Sequence, residues 1–292
     1  MKKIIALTLT ALMAMSLAAC GGTPEETKPQ DSTAPNSAAA QTEKKPIDVE
    51  YHSVEAIKAR GVLSVATESQ YAPFCFKSDK GEIIGLEPDF LKAYAEYLGV
   101  TLDLQDMAFD SVVPSAQSGI VDMGMAGLTP DAERKKAVDF SDFYYTGGQN
   151  LIIKADKLDT YTTIESLDGK SIGAQKGSTQ QKIAEAQFPK ATMSLMPKIP
   201  MLVIDLQNGN LDGVLADKVT AEQYVKLNKD LALAKVEIKV EEEENGSSIA
   251  VMKGNSDLIN SLNEFIKAKT DDGSIGKWYV SAKEIADTLG VE

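Results

Sequence analysis

A candidate anion-binding segment follows an apolar stretch in the first half of the chain. Thr129 offers a hydroxyl and a backbone N–H, and Arg134 offers a planar guanidinium that can hold a carboxylate with two parallel hydrogen bonds. Asp131 is placed to cap a new helix that would run through Lys136. Because a helix N-terminus attracts anions, the segment predicts an anion site. The alternative is an exposed helix whose arginine makes only a surface ion pair.

Two segments in the second half of the chain complement this one. Residues 175–179, Gln-Lys-Gly-Ser-Thr, are predicted to form a turn between a strand and a helix, with Ser178 and Thr179 at the helix start. Such a turn presents N–H groups and hydroxyls to an anion. Asp217 offers a carboxylate to a cation. The sequence therefore contains candidate partners for both an anion and a cation.

An internal repeat relates the two halves. Four residue identities recur at a constant offset of 90 residues, and in both copies a helix is predicted to end at the glycine before a buried strand. The matches are Gln117, Gly119, Asp122 and Ala126 with Gln207, Gly209, Asp212 and Ala216. The repeat places Gly127 and Asp217 just past the carboxyl end of equivalent strands, where ligands bind in open α/β sheets. We interpret the two shared aspartates as structural; coincidence is the alternative explanation of the repeat.

Short apolar runs alternate with amphipathic stretches from residue 62 onward, which predicts an α/β fold. A helix is predicted over residues 89–98, with Pro88 in its first turn and Gly99 at its end. A second apolar stripe comprises Leu258, Leu262, Phe265 and Ile266. The predicted strands are 62–66, 101–104, 121–125, 151–154, 171–174, 211–215 and 248–252.

The first 19 residues have the order of a secretory signal peptide. Two lysines precede an apolar stretch over residues 4–15, which is too short to span a bilayer. The following Leu-Ala-Ala-Cys-Gly at 17–21 resembles the lipobox of bacterial lipoproteins, which implies diacylation of Cys20. Residues 20–46 are polar and predict a flexible tether after the lipidated cysteine.

Composition excludes several kinds of chemistry. The formal net charge of −13 repels phosphate backbones, so nucleic acid is not an expected partner. Once Cys20 is acylated only Cys75 remains, so we expect a buried free thiol and no cysteine metal site. His52 is the only histidine, which excludes serine–histidine–aspartate triads and histidine zinc sites. We expect no cofactor.

Several short runs together form a specific pattern. They are Gly-Val-Leu at 61–63, Tyr-Ala-Pro-Phe at 71–74, Gly-Leu-Glu-Pro-Asp at 85–89, Asp-Phe-Ser-Asp-Phe-Tyr-Tyr at 139–145, Asp-Gly at 272–273 and Lys-Trp at 277–278. With these runs the chain resembles the polar amino acid-binding proteins of bacterial ATP-binding-cassette (ABC) importers, the family 3 solute-binding proteins. The resemblance covers about residues 62–279.

The resemblance implies a role for both charged segments. Thr129 and Arg134, with the backbone at 178–179, would hold the α-carboxylate of a ligand. The Gly127 carbonyl and Asp217 would hold its α-ammonium group. The chemistry agrees independently, because a zwitterion removed from water needs an ion partner at each end.

The resemblance also implies how the ligand side chain is held. Tyr71 and Phe109 match the aromatic residues that sandwich it, and Glu68 matches an acidic position that reaches its tip. Core packing is the alternative for the two aromatic residues, and a solvated loop carboxylate is the alternative for Glu68. Pro130 and Asp131 depart from the usual apolar residue and threonine, and Glu68 stands where aspartate is commoner.

The fold implied by the resemblance is a two-lobed, periplasmic-binding-protein-like (type II) α/β fold with the ligand in the cleft between the lobes. We predict lobe 1 over residues 47–150 and 248–292, and lobe 2 over 151–247. The chain would cross between the lobes near 150–154 and 244–251. Closure about these crossings would trap the ligand.

The predicted function is therefore to bind a free L-amino acid outside the cell, with arginine or lysine favoured, and to deliver it to an ABC permease. The lipid at Cys20 would anchor a monomer to the cell membrane, facing outside. Histidine, glutamine and cystine are alternative ligands. A dehydratase-like enzyme with Glu68 as general acid or base, or a tethered sensor, are alternative functions on the same fold.

Overall fold

The computed structural model describes residues 48–242 and 245–291. The predicted signal peptide, the lipidation site at Cys20 and the whole predicted tether lie outside these residues, as does Glu244 of the predicted second crossing. In the described ranges, no helix combines the length and apolar character needed to cross a membrane.

The described residues form thirteen strands and nine α-helices. The strands are β1 (Val62–Thr67), β2 (Phe76–Lys77), β3 (Ile83–Ile84), β4 (Thr101–Asp106), β5 (Met123–Leu128), β6 (Val138–Phe140), β7 (Tyr145–Thr146), β8 (Gln149–Lys154), β9 (Ser171–Gln175), β10 (Thr192–Met196), β11 (Gly213–Asp217), β12 (Leu231–Leu233) and β13 (Gly246–Met252). The helices are α1 (Val54–Arg60), α2 (Leu86–Leu98), α3 (Phe109–Gln117), α4 (Arg134–Ala137), α5 (Thr179–Gln187), α6 (Ile199–Gln207), α7 (Lys218–Leu227), α8 (Ser256–Asp271) and α9 (Ser274–Leu289).

Two mixed sheets organise these elements into two α/β lobes. The first sheet has the order β4-β1-β5-β13-β6, with β7 paired to β13, and the second has the order β10-β9-β11-β8-β12. In each sheet the first three strands are parallel, and the following strand is antiparallel to them. Strands β2 and β3 form a separate small hairpin. The predicted fold class is confirmed.

The two lobes repeat one aspartate arrangement. Asp122 Oδ2 accepts a hydrogen bond from the Ser64 N–H at 2.8 Å, and Asp212 Oδ2 accepts one from the Ser171 N–H at 3.0 Å. Each aspartate N–H in turn donates to the carbonyl of the same serine. The aspartates therefore fasten the start of one strand to the next strand in both sheets, which is the structural role that the repeat predicts.

This fastening explains an error in the predicted strands. The strands predicted over 121–125 and 211–215 are displaced in the structure to Met123–Leu128 and Gly213–Asp217. Each aspartate lies just before the strand and occupies the neighbouring strand's N–H with its side chain, so regular pairing starts one residue later. Gly127 and Asp217 consequently lie within the last two residues of their strands, not past the ends.

The crossings between the lobes also differ from the prediction. Strand β8 begins at Gln149 and pairs with β11, so the first crossing lies at residues 147–148 rather than 150–154. Strand β13 is paired within the first sheet from Gly246 onward, so the second crossing precedes that residue. The apolar run at 151–153 is completely buried, because it forms a central strand of lobe 2 and not a hinge.

The C-terminal helices return to lobe 1 and complete its core. Leu258, Leu262 and Phe265 of α8 are buried against the apolar face of α2, as their spacing predicts. The Phe265 ring meets Phe90 of α2 edge-on, with centroids 5.3 Å apart. Helix α2 ends at Gly99, whose φ of 75° suits the left-handed cap that glycine provides. These contacts fix the lobe that carries most of the predicted ligand residues.

The two structural aspartates differ in their partners. Asp122 is completely buried and is contacted by the Arg60 guanidinium and by His52 Nδ1 at 2.7 Å. Asp212 is half-buried and is contacted by neutral donors, the Tyr161 hydroxyl at 2.6 Å and a backbone N–H. Removal of Asp122 leaves the partly buried Arg60 guanidinium, whose side chain is 20% exposed, without its carboxylate, whereas removal of Asp212 leaves only neutral donors unsatisfied.

We expect Asp122→Ala to lower the free energy of unfolding by about 3–5 kcal/mol and Asp212→Ala by about 1–3 kcal/mol. Urea unfolding followed by circular dichroism measures both values. Ligand binding by the folded fraction should be unchanged in each variant. Equal losses, or a larger loss for Asp212→Ala, would contradict the assigned difference in partners.

Candidate functional site

Two adjoining cavities, each of about 20 Å³, lie between the lobes. Both are lined by Tyr71, Gly127, Gln180 and Asp217. The first extends along the first crossing and includes Thr129, and the second extends to Glu68, Phe109, Gln175 and Ile199. Six of the nine predicted binding residues line the two cavities, namely Glu68, Tyr71, Phe109, Gly127, Thr129 and Asp217.

The three remaining predicted residues are buried but line neither of the two cavities. Arg134 is held over the Phe109 ring, with its Cζ atom 5.5 Å from the ring centroid. Ser178 caps helix α5 by accepting from the Gln181 N–H, and its own N–H donates to the Gln175 carbonyl. Thr179 is buried, and its hydroxyl has no hydrogen-bond partner among the described residues. The backbone N–H of Ser178 is therefore occupied by the turn.

Asp217 is the buried anionic group of the cleft. It is the N-cap of α7, and its Oδ1 accepts hydrogen bonds from Val219 N–H and Thr220 N–H, both at 3.1 Å. Its Oδ2 accepts no hydrogen bond of good geometry from the described residues, and the Tyr71 hydroxyl lies beside the carboxylate. Burial raises the pKa of Asp217 above its ordinary value despite these donors. A cation beside Oδ2 would relieve this cost of burial.

Gly127 requires the conformation that glycine provides. Its φ is +60°, and a Cβ atom would lie 2.6 Å from the Tyr71 ring. Its N–H donates to Glu87 Oε1 at 2.8 Å, and the Tyr144 hydroxyl donates to the same oxygen at 2.6 Å. Any larger residue at position 127 would therefore push Tyr71 out of the cleft.

Glu87 is a functional candidate that the sequence analysis missed. It is completely buried under the cleft, and burial raises its pKa from 4.5 to about 7. Its Oε2 accepts no hydrogen bond in the described structure. A carboxylate in the first turn of an amphipathic helix is usually exposed, so no local signal distinguishes it.

Arg134 is the cationic group of the cleft, and the surface-pair alternative for it is wrong. Its side chain is buried, with Nη1 donating to the Thr129 carbonyl at 2.9 Å and Nη2 to the Gly177 carbonyl at 3.1 Å. Asp131 Oδ1 accepts from the Arg134 N–H at 2.9 Å, which confirms the predicted cap. The helix it caps is short, Arg134–Ala137. Since a guanidinium has five N–H donors, these two side-chain bonds leave donors for an anion.

Glu68 lies in the second cavity and is only 4% exposed, so the solvated-loop alternative is wrong. Burial raises its pKa to about 7; Asp106 acts in the same direction, and Lys198 of lobe 2 opposes them. Phe109 and Tyr71 border the same cavity, although Tyr71 also stacks on Phe74 with centroids 4.8 Å apart. The cavity therefore combines aromatic surface with one acidic group.

Lobe 2 contributes lining residues that the sequence analysis missed, and the internal repeat identifies two of them. The offset of 90 that relates the aspartates also relates Phe109 to Ile199, each the first residue of a helix. The aspartates bind Ser64 and Ser171, and these serines are separated in the sequence by the same number of residues as Glu68 and Gln175. The second cavity is thus lined by two pairs of equivalent residues.

Gln180 is a third lining residue of lobe 2 that the sequence analysis missed. It borders both cavities, and its Nε2 donates to Gln149 Oε1 at 3.0 Å, close to the first crossing. The sequence pattern shows only a polar residue in the first turn of α5, which is equally consistent with exposure to solvent.

The two-sheet architecture, with a cleft between its lobes, defines the class of two-lobed solute-binding proteins. The family model for "Bacterial extracellular solute-binding proteins, family 3" matches residues 63–281. The chain belongs to this family.

The protein is similar to characterised relatives over most of its length. It is 30% identical to the arginine-binding extracellular protein ArtP of Bacillus subtilis, over 97% of this chain and 100% of the relative. A substrate-binding protein of an amino acid ABC transporter from Streptococcus pneumoniae, crystallised with L-arginine, is 34% identical with a TM-score of 0.76 over 82% of this chain and 99% of that one. An ancestral amino acid-binding protein, described as a precursor of cyclohexadienyl dehydratase, is 31% identical with a TM-score of 0.72 over 78% and 98% of the two chains.

The buried carboxyl groups predict an unusual pH dependence of stability. Glu68 and Glu87 have pKa values of about 7 in the folded protein, against 4.5 ordinarily, so the folded state binds more protons between these values. Stability should therefore fall as the pH rises from about 5 to 8. We expect Glu87→Gln to be more stable than wild type by about 1–3 kcal/mol at pH 8, measured by urea unfolding.

The exposed Glu264→Gln provides the matched control, because it removes the same charge from a solvated position of α8. It should leave the pH profile unchanged. A wild-type protein that gains stability between about pH 5 and 8 would contradict a buried, protonated Glu87.

Proposed function

We propose that the protein binds a free L-amino acid outside the cell, with arginine or lysine favoured, and delivers it to an ABC permease. One observation supports this proposal: a buried carboxylate on lobe 2, Asp217, lines the cleft, and a buried guanidinium on lobe 1, Arg134, lies against Phe109 of the cleft lining. Each has capacity for a further ionic partner. An amino acid zwitterion supplies both partners at once.

The α-carboxylate binds to the free N–H groups of Arg134 and to the Thr129 hydroxyl. The backbone around Ser178 and Thr179 assists at the start of α5. Because Ser178 N–H is taken by the turn, the assisting donor is the next one along the helix start. Charge-assisted hydrogen bonds of this kind are about twice as strong as neutral ones.

The α-ammonium group binds between the Gly127 carbonyl and the Asp217 carboxylate. The side chain then extends between Tyr71 and Phe109 toward Glu68. Aromatic faces favour a cationic tip, and an ionised Glu68 pairs with it. The arginine named in the B. subtilis relative and bound in the S. pneumoniae structure supports this choice of side chain.

Delivery follows from closure and from the position of the protein. Closing the lobes about residues 147–148 and the second crossing traps the ligand. The lipid on Cys20 keeps a monomer at the outer face of the membrane, and the tether over residues 20–46 lets it meet its permease. The extracellular character of the family supports this location.

A dehydratase-like enzyme is the second candidate function. It is favoured by Glu68, which is buried in the cleft with a pKa of about 7, a value suited to a general acid or base. The similarity to the precursor of cyclohexadienyl dehydratase points the same way. The intact partners for both ends of an amino acid favour binding without reaction. Product formation from prephenate or arogenate would establish the enzyme instead.

A thermal-shift screen with the twenty L-amino acids tests the proposal. We expect basic amino acids to raise the melting temperature of the unlipidated chain from residue 21 onward more than the others. A ligand at 1,000 times its Kd stabilises the folded state by about 4.1 kcal/mol, enough for a shift of several degrees. Histidine and glutamine are the alternative ligands in this screen, and cystine is added to it as a third.

Two variants serve as controls in this screen. Arg134→Ala and Asp217→Asn each remove one partner of a buried ligand charge, at a cost of about 3–5 kcal/mol or two to three and a half decades of Kd. Both should lose the shift and keep the circular dichroism signal of the fold. A flat response of wild type to all twenty amino acids would contradict amino acid binding and favour the sensor.

The charge of Glu68 should decide between basic and neutral ligands. Because only the ionised carboxylate attracts a cationic tip, the Kd for arginine should rise about tenfold per pH unit below the Glu68 pKa of about 7. Glu68→Gln should weaken arginine binding by about one to two decades at low salt and remove this extra pH dependence. Isothermal titration calorimetry measures both effects.

Glutamine is the matched ligand control, because its tip is neutral and its two α-groups are the same. Its affinity should change far less in Glu68→Gln. Equal losses for arginine, glutamine and histidine would mean that Glu68 only shapes lobe 1, and a neutral polar amino acid or cystine would become the favoured ligand.

A further inference from the structure

Asp131 of lobe 1 contacts Lys182 of lobe 2 across the edge of the cleft. The distance from Lys182 Nζ to Asp131 Oδ2 is 2.9 Å. Asp131 is 3% exposed, and its other oxygen, Oδ1, accepts from the N–H groups of Glu133 and Arg134, both at 2.9 Å. The carboxylate is therefore fixed in place before lobe 2 approaches, which reduces the entropy lost when the pair forms.

The same carboxylate is linked to the cationic group of the cleft. Arg134 Nε lies 3.7 Å from Asp131 Oδ2, and Arg134 Nη2 donates to the Gly177 carbonyl of lobe 2 at 3.1 Å. Gly177 and Lys182 flank the first turn of α5. Asp131 and Arg134 thus grip one short segment of lobe 2 at two points.

We propose that the Asp131–Lys182 pair is a clasp that holds the closed lobes together over the ligand, and that Asp131 is the positioning residue that links this clasp to Arg134. The inference rests on the proposed amino acid binding. Its two partners are in different lobes, on the turn before α4 and on α5, so the pair exists only in the closed arrangement.

A second ion pair across the cleft is weaker because its side chains are more exposed to solvent. Lys176 Nζ lies 3.0 Å from Asp110 Oδ2, but their side chains are 62% and 35% exposed. In the clasp the Lys182 and Asp131 side chains are 47% and 5% exposed. Screening by water and salt therefore reduces the Lys176–Asp110 attraction more. Burial would raise the pKa of Asp131, but the Arg134 N–H, Lys182 and Arg134 together hold it below the ordinary value, so the clasp carries full charge at neutral pH.

A clasp of this kind acts on release of the ligand. The ligand meets an open cleft, in which Asp131 and Lys182 are apart, so the association rate should not depend on the pair. Opening must break it, so the dissociation rate should. Most affinity differences between related complexes arise in the same way, in the dissociation rate.

Stopped-flow kinetics of Lys182→Met test the proposal. The probe is the L-amino acid that gives the largest shift in the thermal screen. We expect a dissociation rate about three to ten times that of wild type and an association rate within about twofold. Lys190→Met is the matched control, because Lys190 pairs with Asp168 at 2.6 Å inside lobe 2. Its kinetics should equal those of wild type.

Asp131→Asn provides the second arm. The amide oxygen can still cap the Arg134 N–H, but the charge that attracts Lys182 is lost. The dissociation rate should again rise, and adding Lys182→Met should change it little further, because the pair is already broken. Raising the salt to about 0.5 M should accelerate dissociation from wild type and leave the double variant nearly unaffected.

A dissociation rate of Lys182→Met equal to that of Lys190→Met, or independent effects of Asp131→Asn and Lys182→Met, would overturn the clasp while leaving amino acid binding intact. Failure of the wild-type protein to bind any amino acid in the screen would instead overturn the proposed function, and the clasp with it. The two failures are therefore distinguishable.

Discussion

Each lobe buries one charged group at the cleft and leaves it with an incomplete set of partners. Asp217 receives two N–H donors at the start of α7, and Arg134 donates to two backbone carbonyls. These neutral partners reduce the cost of burial but do not neutralise a charge, which a low-dielectric site disfavours unless a counter-charge is near. The fold can hold both groups because its rigid sheets separate them across a cleft, where a ligand with both charges completes each set. Much of the remaining architecture serves to keep the two groups at this separation.

The repeated aspartates provide much of that rigidity. Asp122 and Asp212 each bind the N–H of a serine on the neighbouring strand, and the strands that follow run to Gly127 and Asp217. Because both strands start at the same kind of aspartate–serine hydrogen bond, the Gly127 backbone and the Asp217 carboxylate reach the cleft at equivalent positions in the two lobes. The two pairs of equivalent cavity residues, Phe109 with Ile199 and Glu68 with Gln175, follow from the same repetition. In these pairs the residues of lobe 1 are acidic and aromatic and those of lobe 2 are uncharged, so the pseudo-symmetric scaffold carries an asymmetric site.

The repeat also marks how far sequence reasoning reaches. It predicted two α/β halves and placed Gly127 and Asp217 in equivalent positions, because helix-to-strand turns with glycine leave a clear local pattern. The same offset also relates Phe109 to Ile199, which the predicted site does not include. The strand starts differ from the prediction because a side chain that replaces ladder hydrogen bonds, as Asp122 does, has no signature in hydropathy. The first crossing differs because the apolar run at 151–153 belongs to β8. Glu87 was missed for a deeper reason: its burial depends on Gly127 and Tyr144, which are distant in sequence, and its local pattern matches that of an exposed first-turn carboxylate.

The balance of charge in the cleft gives the site its preference. Three buried carboxyl groups, Glu68, Glu87 and Asp217, surround the ligand space, and the pKa of each is raised, chiefly by burial. Arg134 is the one buried guanidinium among the residues described around the cleft. A zwitterion with a neutral side chain adds no net charge to this excess of acidic groups. A ligand with a cationic side chain adds one positive charge beside carboxyl groups whose pKa values are raised. Lys198 opposes this effect near Glu68 from an exposed position, where water screens it. Under the proposed function, the excess of buried carboxyl groups would favour a basic side chain.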